Sequence, residues 1–577
     1  MKTLSVVAAL VTTAALLVPA DLHADPSGRV ARVSYVAGQV SLRHGTEAEW
    51  MQFVINYPVT TGDQIWTDAG ARSELHIGST ALRLSELTAL SVTMIEDDRV
   101  HLVLSQGTLG LRVRVLDSDD HLEVETPAGT IAIRGAGEYR VDVDSLGASA
   151  QLTVRRGAAE VLTASGSFAV HEGQSARITG DPSPSYDVHD APGMGDFDAW
   201  SAQRDRLEDE SESARYISRE MTGYEELDRY GQWEDAGEYG AVWVPAGVAR
   251  GWAPYRYGYW AWVNPWGWTW IDEAPWGFAP FHYGRWARYR GRWVWVPGAR
   301  VVRPVYAPAL VVFVGGGGWS ASGRFGPGGG VAWFPLAPGE PWVPGYHASQ
   351  EYVRNVNVTN VNVTNINVTN VNVTNVHYRN RDVEGAVTAV PHEVFVSAHG
   401  TRGAAVAVGV RELDGATVVS HAPPVAPRHE SEVIRMPSHE SVWHAPQQPA
   451  NAHRWTPPSP AAVRAPTAHD AQPDAASRKQ ERAVADRQVR EHAQLEEHHE
   501  QERSAPPRGV SAEELRARQQ REAQQMEARH TAELRAVPPR PPVATAPRQP
   551  PKPPAAPKNE AKNKEPEKHE KPAKPPR

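Results

Sequence analysis

From Arg29 to about Gly180, apolar residues return at every second position: Val40/Leu42, Leu82/Leu84, Val100/Leu102/Leu104, Leu109/Leu111/Val113/Val115, Leu122/Val124, Ile131/Ile133, Tyr139/Val141/Val143 and Leu152/Val154. A period of two places these side chains on one face of a strand and the polar ones on the other, as in a half-buried sheet. Gly45, Gly62, Gly78, Gly107, Gly129, Gly157 and Gly173 interrupt the runs at strand-length intervals. The pattern predicts an all-β domain over 29–180, closed by Asp181-Pro182-Ser183-Pro184. The period then changes. Phe197, Trp200, Leu207, Ala214, Ile217, Met221 and Tyr224 recur at helical spacing, which predicts one amphipathic linking helix over 194–223. Asp196 is its expected N-cap and Gly223 its stop.

A repeat follows over 225–345. Tyr230-Gly231-Gln232-Trp233, Tyr257-Gly258-Tyr259-Trp260 and Tyr283-Gly284-Arg285-Trp286 are copies of YGxW. Each is answered about ten residues later by Val242-Trp243-Val244-Pro245, Trp268-Thr269-Trp270-Ile271 or Trp293-Val294-Trp295-Val296. Each unit reads as a β-hairpin with aromatics on one face, its glycine taking a positive φ or allowing a close approach. One hairpin alone is marginal, so the units are expected to pack as an array.

These rings admit two readings. As core, each indole removes about 150–250 Å² from water. As surface, rings in Pro-held turns form a platform for sugars, with neighbouring cations for acidic polymer. The expected ligand-binding set is Tyr255, Trp266 and Trp276, beside Pro254, Pro265 and Pro275, together with Arg256, His282 and Arg288. The YGxW tryptophans are assigned to the core.

After this block, (Val/Ile)-Asn-Val-Thr-Asn occurs four times from Val356 to Asn375. A five-residue unit reverses strand parity at each step, so 355–376 reads as a strand-and-turn connector, with an edge for association as the alternative. Valines over 383–420 predict a further short β segment. The remainder, 421–577, is Pro-, Ala- and Lys-rich, which predicts a disordered tail with polar helices at 478–502 and 511–537.

Composition narrows the chemistry. The 577 residues include no cysteine, which removes disulfides, thiol nucleophiles and thiolate metal sites. A net charge of -9 argues against bulk nucleic-acid binding. Of 20 Trp, 15 lie between Trp233 and Trp342, and only 9 Phe occur in the whole chain. Lys2, the apolar run Leu4–Val18 and Leu22-His23-Ala24 read as a cleaved signal peptide over 1–24. A periplasmic or secreted protein is expected, with no membrane-spanning helix in the mature chain.

The sequence resembles known families in two places. Gly38-Gln39-Val40, Gly62-Asp63 and above all Val124-Glu125-Thr126-Pro127-Ala128-Gly129-Thr130-Ile131-Ala132-Ile133-Arg134-Gly135 resemble the FecR domain. It departs from the usual pattern at Ala136-Gly137-Glu138. In the best-known members this domain is a periplasmic signalling module, joined by a membrane helix to a segment controlling a sigma factor. With neither part in this sequence, transmembrane signalling by this chain alone is not expected. Further on, Trp252-Ala253-Pro254-Tyr255-Arg256-Tyr257-Gly258 and Ala274-Pro275-Trp276-Gly277-Phe278-Ala279-Pro280-Phe281-His282-Tyr283-Gly284 resemble a Trp/Tyr-rich bacterial domain of unknown function that often follows a FecR domain.

Tests for catalysis fail. The glycines from Gly315 to Gly318 lack the Lys-Ser/Thr of a phosphate loop, and His439 and His444 are one residue too far apart for a helical zinc pair. No catalytic residue, metal or cofactor is expected. The sequence therefore predicts an all-β, non-enzymatic exported envelope protein, acting as a binding or scaffold module for peptidoglycan or an anionic polysaccharide. The alternative is an extracytoplasmic accessory of a FecR-type signalling or transport system, with an envelope protein as partner.

Overall fold

The computed structural model describes residues 25–431, apart from 46–48, 181–184, 316–324, 326–328, 359–376, 414–415, 421–422, 424 and 429–430, and also Arg518. The expected signal peptide, most of the Asn-Val-Thr repeat, the glycine run after Gly315, the His439–His444 pair and the tail helices lie outside the described residues. The described residues from 25 to 431 belong to one compact unit.

The fold is mostly β, as the alternation predicts. Its first part is two sheets that share one long strand, Arg99–Val113. The first half of that strand pairs antiparallel with Thr88–Ile95 and parallel with His121–Thr126. The second half pairs with Thr80–Leu84 and Gly137–Val143. Gly107 marks the passage between sheets: its φ is +90°, and a Cβ there would lie 2.4 Å from Thr88 Oγ1. The glycine therefore permits a continuous strand to change sheets, where the sequence predicted two strands and a break. Val124, Ile131, Val141, Leu152 and Val154 are buried on the inner faces.

Two boundaries differ from expectation. The β region continues past Pro184 into strand Ser185–Asp190, which pairs with Gln174–Thr179. The helix covers only Asp196–Asp209, with Gly195 rather than Asp196 as N-cap, and the chain then turns through Ser213–Arg215 and Tyr224–Glu226. Ile217, Met221 and Tyr224 are buried as expected but from turns, while Leu207 is 49% exposed. The helix face that meets the first sheet is charged: Arg204 and Asp205 reach Glu74 and Arg83 there. Spacing among apolar residues could not distinguish one helix from a helix followed by apolar turns.

The three predicted hairpins form, as Gly231–Asp235 with Ala241–Pro245, Gly258–Val263 with Gly267–Asp272, and Arg285–Tyr289 with Arg292–Val296. They do not stack as a simple array. The first and third join into one four-stranded sheet through Trp243 opposite Trp295, and the middle hairpin stands as its own two-stranded sheet. A further five-stranded sheet contains Val311–Gly315, Gly330–Pro335, Val387–Pro391, Val406–Val408 and Thr417–Ser420. The boundary expected near 345 therefore does not separate two bodies, because the segment 383–420 completes a sheet begun inside the aromatic block. The repeat's first Val356 and Asn357 belong to helix Gln350–Asn357, capped by Ser349, whose Oγ accepts from the Tyr352 amide. One apolar core runs without interruption from Val30 through the aromatic block to Ala398.

Candidate functional site

The YGxW glycine explains how each hairpin closes. The paired tryptophans lie directly opposite: Trp233 and Trp243, Trp260 and Trp270, Trp286 and Trp295. In every unit the ring from the second strand folds over the glycine. A Cβ would lie 2.3 Å from the Trp243 ring at Gly231, 2.5 Å from Trp270 at Gly258 and 2.5 Å from Trp295 Nε1 at Gly284. Close approach is common to all three, whereas a positive φ occurs at Gly284 alone.

Rings from the middle hairpin, the five-stranded sheet and the short helix His392–Val396 then meet in the interior. Trp260 lies 5.2–5.4 Å from Trp270, Phe313, Trp333 and Phe395. Indole N–H groups tie carbonyls outside the strands into this core: Trp243 donates to Leu227 O, Trp286 to Pro280 O, Trp295 to Tyr283 O, Trp333 to Tyr255 O and Trp342 to Ala309 O, at 2.8–3.0 Å. Phenylalanine could supply the area but not the donor, which accounts for the preference for Trp.

Five of the six expected binding residues are in this interior. Tyr255, fully buried at a φ of 58°, donates to Phe281 O and accepts from the Leu310 amide. Trp266 donates to Tyr352 Oη, and Trp276 packs among Trp243, Trp252 and Phe281. Arg256 bonds Thr388 Oγ1 and the carbonyls of Gly251 and Gly385, pinning the returning chain. His282 holds Ala307 O through Nδ1 at 2.8 Å, and burial lowers its pKa to about 3, so the ring is neutral. Only Arg288 is exposed, 5.5 Å above the Trp293 ring. The expected surface platform in the Pro-flanked turns is thus corrected: proline holds those turns inward, against rings of neighbouring sheets.

Beside the middle hairpin lies a small cleft of about 100 Å³, walled by Trp260, Trp262, Trp266, Trp268, Phe313 and Pro423. That is below the roughly 300 Å³ of an ordinary small-molecule site. Trp260 Nε1 has no acceptor among the described residues.

A second cluster, invisible in the sequence, joins the first sheets to the aromatic block. Arg32, fully buried, bonds Asn56 Oδ1 at 3.0 Å, Glu225 Oε1 at 2.6 Å and Pro275 O at 2.6 Å. Asn56 donates onward to the carbonyls of Asp272 and Ala274. Beside them His76 faces Glu225 at 3.0 Å, Glu208 at 3.3 Å and Glu74 at 3.9 Å. Burial opposes its charge, but Glu225, Glu208 and Glu74 prevail and raise its pKa to about 10. Arg114 pairs with Glu208 at 2.7 Å, and Arg83 and Arg204 pair with Glu74 at 2.7 and 2.6 Å. These side chains are spent on one another. Among the described residues no group of three or more His, Asp or Glu could hold a metal ion. Polar residues in an alternating strand, such as Arg32 and His76, read as the solvent face; only the position of the neighbouring block makes that face an interior.

Residues 63–160 match the FecR protein family, and residues 224–340 match a family of unknown function, DUF6600. The chain carries a FecR domain followed by a DUF6600 domain. Two solved structures, each described as a "putative anti-sigma factor" from Parabacteroides distasonis, are similar to part of it. One is 15% identical, covering 22% of this chain and 59% of the other at a TM-score of 0.20. The second is 14% identical, covering 24% and 64% at a TM-score of 0.21. The matched part thus spans less than two thirds of either structure. No curated protein matches the chain.

Proposed function

We propose that this chain is a non-enzymatic, exported envelope protein that serves as an extracytoplasmic accessory of a FecR-type system, presenting its FecR domain to a protein partner. The observation that carries this reading is strand Ser185–Asp190. All six of its residues are exposed, it pairs on one side with Gln174–Thr179, and no second partner strand occurs among the described residues. Tyr186 and Val188 are 56% and 38% exposed. An open edge of this kind accepts an added strand from another protein. The buried network from Arg32 to Glu225 supports a rigid placement of that edge on the DUF6600 domain.

The test is crosslinking in the producing bacterium from a photoreactive residue at Tyr186, with fractionation of the envelope. A specific protein adduct in the periplasmic fraction, lost when Val188 is replaced by proline, is the expected result. Cytoplasmic location, or an adduct unaffected by the proline, overturns the reading.

The hairpin tip favours a second reading, binding of acidic cell-wall polymer. Arg288 and Arg290 lie 5.5 and 5.1 Å from the rings of Trp293 and Tyr289, both cations exposed. Retention on purified sacculi or anionic glycans at low salt, lost on Arg288→Glu with Arg290→Glu, is its test.

A further inference from the structure

The aromatic cleft is walled on one side by a residue far along the chain, Pro423. The segment that follows crosses the same face. Trp268 donates its indole N–H to Val425 O at 3.0 Å, Val425 packs on the aromatic core, and Arg428 pairs with Glu393 at 2.9 Å. Glu393 belongs to the short helix His392–Val396, whose Phe395 lies 4.5 Å from the Trp268 ring. Proline against indoles, an indole donating to a ligand carbonyl, and an acid holding a terminal arginine make up the chemistry of proline-rich peptide recognition in aromatic grooves. The described residues that cross the groove are Pro423, Val425, Ala426, Pro427 and Arg428, from the sequence Pro-Pro-Val-Ala-Pro-Arg. The same chain carries a second version, Pro541-Pro542-Val543-Ala544-Thr545-Ala546-Pro547-Arg548.

We propose that the groove on the middle hairpin is a proline-rich peptide site, occupied by the chain's own 423–428 segment, and that its exchange ligand is the 541–548 segment of a second copy of this chain. Two observations make the groove more than a packing seam. Space of about 100 Å³ remains beside Pro423, and Trp260, which walls it, has a buried indole N–H without an acceptor among the described residues. A peptide longer by the inserted Thr-Ala has additional carbonyls to offer such a donor. The resident segment lowers the apparent affinity of a competitor by the fraction of time it occupies the groove.

The experiment uses the full chain and a fluorescein-labelled peptide of residues 538–550, read by anisotropy. The resident segment is loosened by Pro423→Ser with Arg428→Glu, which leaves the indoles intact. Binding at least tenfold tighter than to the unaltered chain is expected, and it should weaken at least fivefold when Glu393→Gln is added, since Glu393 is solvent-exposed and its loss leaves the fold alone. The same loosened chain should self-associate in sedimentation velocity and return to monomer when 541–548 is deleted. No saturable binding by the loosened chain with native near-ultraviolet dichroism, or equal binding of a peptide whose prolines are alanines, overturns the site. Peptide binding without self-association overturns the second copy as ligand.

Discussion

The FecR sheets and the DUF6600 domain solve one problem by different means. In the FecR part, long ladders satisfy the backbone and aliphatic side chains fill the interior: Val141 and Leu152 lie opposite each other on neighbouring strands and both are buried. In the DUF6600 part, strands of five or six residues alternate with loops, so many carbonyls fall outside any ladder. Indoles take over there: Trp243, Trp286, Trp295, Trp333 and Trp342 each give a large apolar face and one N–H to a carbonyl outside the strands. Cohesion lies in the ladder in one region and in the side chains in the other, although the apolar core is continuous between them.

The largest expected effect tests that difference. Trp286→Ala removes a 1% exposed ring and leaves Pro280 O without its donor, for a loss of about 3–5 kcal/mol. Because the core is shared, unfolding should remain one transition, with FecR and DUF6600 probes melting together. Two separate transitions in calorimetry would break the picture of a common core.

Next comes pH, where the two buried histidines should fail at opposite ends. His76 at the FecR interface has its pKa raised from 6.5 to about 10, so the stability it contributes is present below 6.5 and is lost as pH rises toward 10. His282 in the aromatic core has its pKa lowered from 6.5 to about 3, so its contribution is present above 6.5 and is lost as pH falls toward 3. Asp272, also in the aromatic block, is raised by burial from 3.8 to about 8 and acts in the other direction: its contribution is present below 3.8 and is lost as pH rises toward 8. Denaturation midpoints across pH should therefore be compared between variants: His76→Gln flattens the interval from 6.5 to 10, and His282→Phe the interval from 3 to 6.5. An unchanged alkaline limb in His76→Gln would remove the charged histidine from the account.

A smaller effect isolates the indole donor. Trp295→Phe and Trp260→Phe delete the same atoms, but Tyr283 O loses its partner in the first, whereas Trp260 Nε1 has none to lose among the described residues. Trp295→Phe should cost about 1–3 kcal/mol more, the penalty of a buried unsatisfied carbonyl. Equal costs in urea denaturation would reduce the indoles to filling.

Why some of this was legible in the sequence and some was not follows from the same contrast. Alternation is local, so the FecR strands and the three hairpins could be read directly. The pairing of Trp243 with Trp295 across the first and third hairpins is not local, and neither is the return of Val387–Pro391 into the sheet of Gly330–Pro335. Proline beside Trp266 and Trp276 signalled a turn correctly but not the direction in which the turn faces. Arg32 and His76 carried no signal at all, since a polar residue on a strand looks alike whether water or a second domain covers it.

The smallest expected effect is at Arg288, the one residue of the anticipated binding set at the surface. Its guanidinium is exposed and sits 5.5 Å above Trp293, itself 6% exposed. A cation over a ring at an exposed site contributes about 0.5–1 kcal/mol, and surface replacements elsewhere fall within about 0.5 kcal/mol. Arg288→Ala should therefore move the unfolding midpoint little, while Trp286→Ala, two residues earlier on the same strand, disables the domain. The alternation of that strand is the reason: Arg288 and Trp286 share a face by period, yet Trp286 is covered by Phe281 and Trp276, and Arg288 stands beyond them at the hairpin tip. A loss above about 2 kcal/mol at Arg288 would mean that the aromatic core extends to the tip, leaving no surface there for an acidic polymer to meet.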